Sequence, residues 1–123
     1  MNSVNEVPML NGTWLPLHAE LGGAPLPDDV IAAITLIVRD GTYQVQDDGG
    51  RLRLDGGRRP ATMDLVGQEG PNQGRTIRAI YELTGDVLRL CYELGAPERP
   101  LAFRSEPGTL LFLVTYRRRV EKI

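Results

Sequence analysis

The sequence predicts an all-β domain: one antiparallel sheet of eight or nine short strands closed into a barrel, with a single short helix. Three observations carry that prediction. Apolar runs of strand length recur at spacings of about 8–12 residues, the rhythm of sandwiches and barrels. The 14 glycines and 9 prolines fall between those runs, where turns need them. The stretch Gly70 to Tyr92, GPNQGRTIRAIYELTGDVLRLCY, reads as loop, strand, tight turn and returning strand. Sequential hairpins favour up-and-down order, and closure into a barrel removes the exposed edges that such a sheet would otherwise carry.

In chain order, residues 1–8 form a polar lead-in ending at Pro8. Met9 to Glu20 is the first strand, with Pro16 marking an edge or a bulge because it has no amide to donate. Whether Trp14, His18 and Glu20 share a face is therefore left open. A Gly/Pro loop follows over Leu21 to Pro27, then a short helix for which Asp28 is the expected N-cap. Asp40-Gly41 joins strands at Thr35–Arg39 and Thr42–Gln46. Asp47-Asp48-Gly49-Gly50 is a turn, followed by strands at Arg51–Asp55 and Ala61–Val66.

The organising pair comes next. On Thr76–Leu83, Ile77, Ala79, Tyr81 and Leu83 share the inner face and Ile80 the outer; on Val87–Tyr92, Leu88, Leu90 and Tyr92 face inward and Cys91 outward. A strand is expected at Leu101–Ser105 with Phe103 inward. The last strand, Thr109–Arg118, places Leu110, Phe112, Val114 and Tyr116 on one face and Leu111 and Leu113 on the other.

Composition bounds the function. A chain of 123 residues fits one domain, spanning 1–123, that buries roughly two-thirds of its unfolded surface. Fourteen basic against 16 acidic residues leave no basic excess for nucleic acid. One His and one Cys cannot build a zinc site of nitrogen and sulfur ligands, and Asp47, Asp48 and Asp55 lack calcium-loop spacing, so neither metal nor cofactor is expected. No stretch has the length of a membrane span and the start lacks signal-peptide character, which gives the expectation of a cytoplasmic protein. Glu69 and Arg75 stand where a phosphate loop needs Gly and Lys, so Gly70–Thr76 is read as a tight loop over one barrel end.

Gly12-Thr13-Trp14 on the first strand, a short helix after a Gly/Pro loop and a basic residue closing the last strand resemble the lipocalin-like pattern. NGTW, GGAPLP, the Gly70–Tyr92 string and PERPLAF further resemble a family of small, uncharacterised bacterial domains frequent in planctomycetes, over about Leu10 to Tyr116. The resemblance implies a lipocalin-like barrel and no established activity; relatives that look exported or attached to other domains have no counterpart feature here. It also implies structural roles for Gly12, Trp14, Arg117 and Arg118: the tryptophan plugs one barrel end and an arginine of the last strand stacks over it.

The barrel interior is the favoured functional surface. Tyr43, Tyr81, Leu90, Tyr92, Phe103 and Tyr116 are the candidate ligand-binding residues, since buried tyrosines pair an apolar body with a hydroxyl that needs a partner. At about eight strands a barrel is either filled by side chains or holds one small ligand, and both remain open. The expected function is non-catalytic binding of a small, largely apolar molecule. One alternative is an interaction module working through outer-face Ile80, Leu111 and Leu113, with association of copies left open. The other is a small barrel enzyme using His18 and Glu20, two residues apart on one strand face; Cys91, with no His near in sequence, is a poorer nucleophile candidate.

Overall fold

The computed structural model describes residues 9–120, and the lead-in expected over residues 1–8 lies outside them. The elements are β1 (Gly12–Leu21), β2 (Ala24–Pro25), α1 (Asp28–Ala32), β3 (Leu36–Arg39), β4 (Thr42–Val45), β5 (Asp48–Asp55), β6 (Ala61–Glu69), β7 (Thr76–Thr84), β8 (Val87–Glu93) and β9 (Leu111–Arg118). From β3 to β9 each strand pairs antiparallel with the next, and β1 pairs with both β3 and β9. Eight strands thus close into a barrel, and β2 is a two-residue extra strand on β1. Among the described residues no helix is long and apolar enough to cross a membrane.

Local chemistry sets the turns. Asp40 and Gly41 both have positive φ, the backbone that joins two strands with the sheet's own twist. Asn11 fixes this hairpin to the start of β1, accepting from the Asp40 amide at 2.8 Å and donating to its carboxylate at 3.2 Å. In β1 the register slips between Pro16 and His18, leaving Leu17 as the extra, exposed residue of a bulge. Trp14 and Ala19 are fully buried on the inside, and His18 and Glu20 therefore point outward.

Several boundaries differ from expectation for identifiable reasons. β5 begins at Asp48, with Gly49 and Gly50 inside the strand: a Cβ on Gly50 would lie 2.0 Å from the Val66 carbonyl oxygen across a bulge. Asp28 is the first helical residue and not the cap; Pro27 caps α1 through its extended backbone, with no side-chain hydrogen bond. Leu101–Ser105 is no strand. β8 pairs directly with β9 and β9 closes on β1, so no edge remains for it to join.

That segment belongs instead to a strap, residues 94–110, laid over the outside of β6 to β9. Arg99 anchors it: one guanidinium nitrogen meets Asp64 at 2.8 Å, and another donates to the carbonyls of Ala79 and Met63 at 3.0 and 3.3 Å. Arg89 lies 4.2 Å over the Phe103 ring, the Cys91 thiol donates to the Arg104 carbonyl, and Arg78 donates to that of Pro97. Ile80 and Cys91, on the outer face, are consequently buried, and Leu111 and Leu113 are half-buried. The outer apolar face expected to meet a partner is largely covered by the chain itself.

Burial also pushes the Cys91 thiol above its ordinary pKa, so the reactive thiolate is scarce near neutrality and grows only as pH rises past the usual thiol range. Two effects protect Cys91, and the strap supplies one. Arg99→Ala is expected to weaken the anchoring by about 1–2 kcal/mol and to speed labelling of Cys91 by a thiol reagent roughly tenfold. An unchanged labelling rate would mean that the strap is not the shield.

Candidate functional site

The barrel has two unlike ends. At one, Trp14 is fully buried, its indole nitrogen donating to the Leu10 carbonyl at 2.9 Å, with the Arg118 guanidinium 4.3 Å from its ring centroid. Arg118 also meets Asp86 at 3.0 Å and donates to the carbonyls of Met9 and Asn11. Gly12 leaves room for it, since a Cβ there would stand 3.2 Å from Nη1 of Arg118. This is the contact that the Gly12, Trp14 and last-strand arginine pattern leads one to expect. Arg118 alone makes it; Arg117 is exposed on the alternate face of β9. Above this plug Met63, Ala79, Leu88, Leu90 and Val114 fill the interior.

The other end is hollow. A cavity of about 200 Å³ opens there, with Ile34, Val45, Leu65, Ile77 and Leu94 as its apolar wall. Four aromatic rings line it, Tyr43, Tyr92, Phe112 and Tyr116, and Gln46, Asp48 and Asn72 form its polar rim. The rings of Tyr92 and Phe112 stack at 5.6 Å. The interior is therefore solid toward Trp14 and open toward the Gly70–Arg75 loop.

That loop shapes the mouth. Asn72 donates to both oxygens of Asp48, from its backbone amide and its side-chain nitrogen, each at 3.0 Å. Arg75 donates to Asn72 Oδ1 at 3.2 Å and to the Leu94 carbonyl at 3.4 Å. The loop folds back on β6 through Gly67, whose amide donates to the Arg75 carbonyl at 2.8 Å and whose own carbonyl accepts from the Gly74 amide at 3.0 Å.

Within the cavity the Tyr116 hydroxyl donates to the Ile34 carbonyl at 3.0 Å, and Tyr92 lines the same space beside it. Burial raises the pKa of both phenols; the neighbouring Tyr116 adds to the rise at Tyr92, whereas Tyr92 partly offsets the rise at Tyr116. Tyr43 is also raised, by burial first and then by the nearby Asp48 carboxylate. All three hydroxyls stay neutral at physiological pH and can act as hydrogen-bond donors and acceptors.

Of the residues expected to bind a ligand, the fold brings Tyr43, Tyr92 and Tyr116 together at this cavity. Tyr81 and Leu90 face inward but away from it: Leu90 sits in the solid part of the core, and Tyr81 borders a separate depression near the Trp14 end. Phe103 is outside the barrel, under Arg89, because its segment is strap and not strand. His18 Nε2 and Glu20 Oε2 do meet, at 3.1 Å, but on the exposed outer wall, and neither lines the cavity. Asp48 and Asp55 lie at opposite ends of β5, and Asp55 is engaged with the Gly57 amide and Arg58. Asp48 and Asn72, which define the rim, carry a weak sequence signal: each looks like an ordinary turn residue. No protein-family model, curated protein or solved structure matches the chain.

Proposed function

We propose that this barrel is a non-catalytic binding module for a small, largely apolar molecule, built on the lipocalin-like plan of the planctomycete-type domains that its sequence resembles. The observation that carries the reading is the open-mouthed cavity of about 200 Å³ lined by aliphatic and aromatic side chains, with phenol groups among its lining to orient a guest. An apolar cavity of about 150 Å³ already admits benzene, so this one suits a compact ligand with one ring or a short branched chain. The binding reading is favoured over chemistry because the candidate acid–base pair, His18 and Glu20, projects from the outer wall.

Native mass spectrometry of the protein purified gently from its own host tests the reading. The expected result is a noncovalent mass of small-molecule size that is lost on denaturation and lost when Leu65→Trp fills the cavity. A chain that carries no such mass and shows no spectral response to small apolar probes would overturn it.

A further inference from the structure

We propose that the ligand carries a positive charge: a small organic amine, protonated at neutral pH, on an aromatic or branched aliphatic body. The inference rests on the binding reading above and concerns only the ligand's polar end.

Among the cavity-lining residues Asp48 is the one carboxylic side chain; no Lys, Arg or His lines the space. Arg75, at the rim, is exposed, and its guanidinium is engaged by Asn72 Oδ1 and the Leu94 carbonyl. A carboxylate guest would bring a second negative charge beside Asp48 with no buried cation to meet it, which partly desolvated surroundings penalise heavily. An ammonium group reverses the sign of that interaction. The Asp48 carboxylate is already oriented by the two Asn72 bonds, so little further ordering is needed when a third donor arrives, and carboxylate oxygens have lone pairs to spare.

Two further features suit an ammonium. Tyr43 has no hydrogen-bond partner among the described residues, which leaves its hydroxyl oxygen available at the cavity that Asp48 also lines. Four aromatic rings surround a small volume, and ring faces attract cations most where water is excluded.

The test is calorimetric titration of the full chain with three probes that share one body: 2-phenylethylamine, 2-phenylethanol and phenylacetate. The amine should bind about tenfold more tightly than the alcohol, with phenylacetate weakest. Asp48→Asn should remove the amine's advantage, bringing its affinity down to that of the alcohol in the same variant. Because that change also disturbs the Asn72 clamp, Asn72→Ala serves as the second variant: it keeps the charge, so it should keep the amine's preference while weakening all binding. An alcohol equal to the amine, or phenylacetate binding most tightly by way of Arg75, overturns the charge assignment and leaves the binding module standing. No response to any of the three, together with an empty cavity in native mass spectrometry, overturns both.

Discussion

Replacing Trp14 by alanine is expected to lower the stability of the barrel by about 3–5 kcal/mol, the range for deleting a large buried aromatic. The side chain is wholly inaccessible, its indole nitrogen holds the Leu10 carbonyl, and its ring supports the Arg118 guanidinium. Urea unfolding would register the loss as a lower midpoint at unchanged slope. Arg118→Met, which keeps much of the side-chain volume, should remove the cation–π contact, about 0.5–2 kcal/mol, and leave the Met9 and Asn11 carbonyls without that donor. Arg117→Ala is the matched control and should stay within about 0.5 kcal/mol. A Trp14→Ala loss below about 1 kcal/mol would show that the plug is dispensable and that the core above it carries the fold.

Gly67→Ala is expected to have the largest effect at the open end. A Cβ at this position would stand 2.0 Å from the carbonyl oxygen of Asn72 and 3.3 Å from that of Arg75. Both obstacles are backbone atoms, so no rotamer change relieves them; the Gly70–Arg75 loop has to lift off β6. Overpacking costs typically about 1–3 kcal/mol, and a backbone clash belongs at the upper end. Lifting the loop also separates Asn72 from Asp48, so ligand affinity should fall about tenfold or more with the stability. Denaturant unfolding and probe titration on the same sample read both. A variant of native stability and native affinity would mean that the loop is not held against Gly67. Gly74 is a useful contrast: its φ of 84° makes alanine strained there too, but nothing lies within 4 Å of the added carbon. Gly74→Ala should therefore be milder and leave the rim in place.

The parts of this molecule that were legible in its sequence are those governed by neighbours a few residues apart. Period-two alternation assigned the inner faces of β7, β8 and β9 because pleating places every second side chain on one side. Asp40-Gly41 announced its hairpin because few residues accept positive φ. What stayed hidden depends on distant partners. Leu101–Ser105 has strand-like alternation, yet the pairing of β8 with β9 leaves it no slot, and it becomes a strap. Gly49-Gly50 looks like a turn until the approach of Val66 is known. The tyrosines of the cavity were readable as inward residues, but not which of them meet. The Asp48–Asn72 clamp joins residues 24 apart, with nothing in either local sequence to link them.

Closure by β1 on β9 has a kinetic consequence. The hydrogen bond from Arg118 to the Asn11 carbonyl spans 107 positions of the chain, and the Trp14 plug is unfinished until it forms. Neighbouring hairpins can assemble as soon as they are synthesised, but the first strand must wait, one edge bare, for the last. That single distant closure, and the loop it must close, is the step expected to set the folding rate. During that interval Leu15 and Leu17, which remain on the outer surface of β1 even in the finished fold, sit on an unpaired strand edge. The bulge at Pro16, lacking an amide to offer, makes that edge a poor template for another chain.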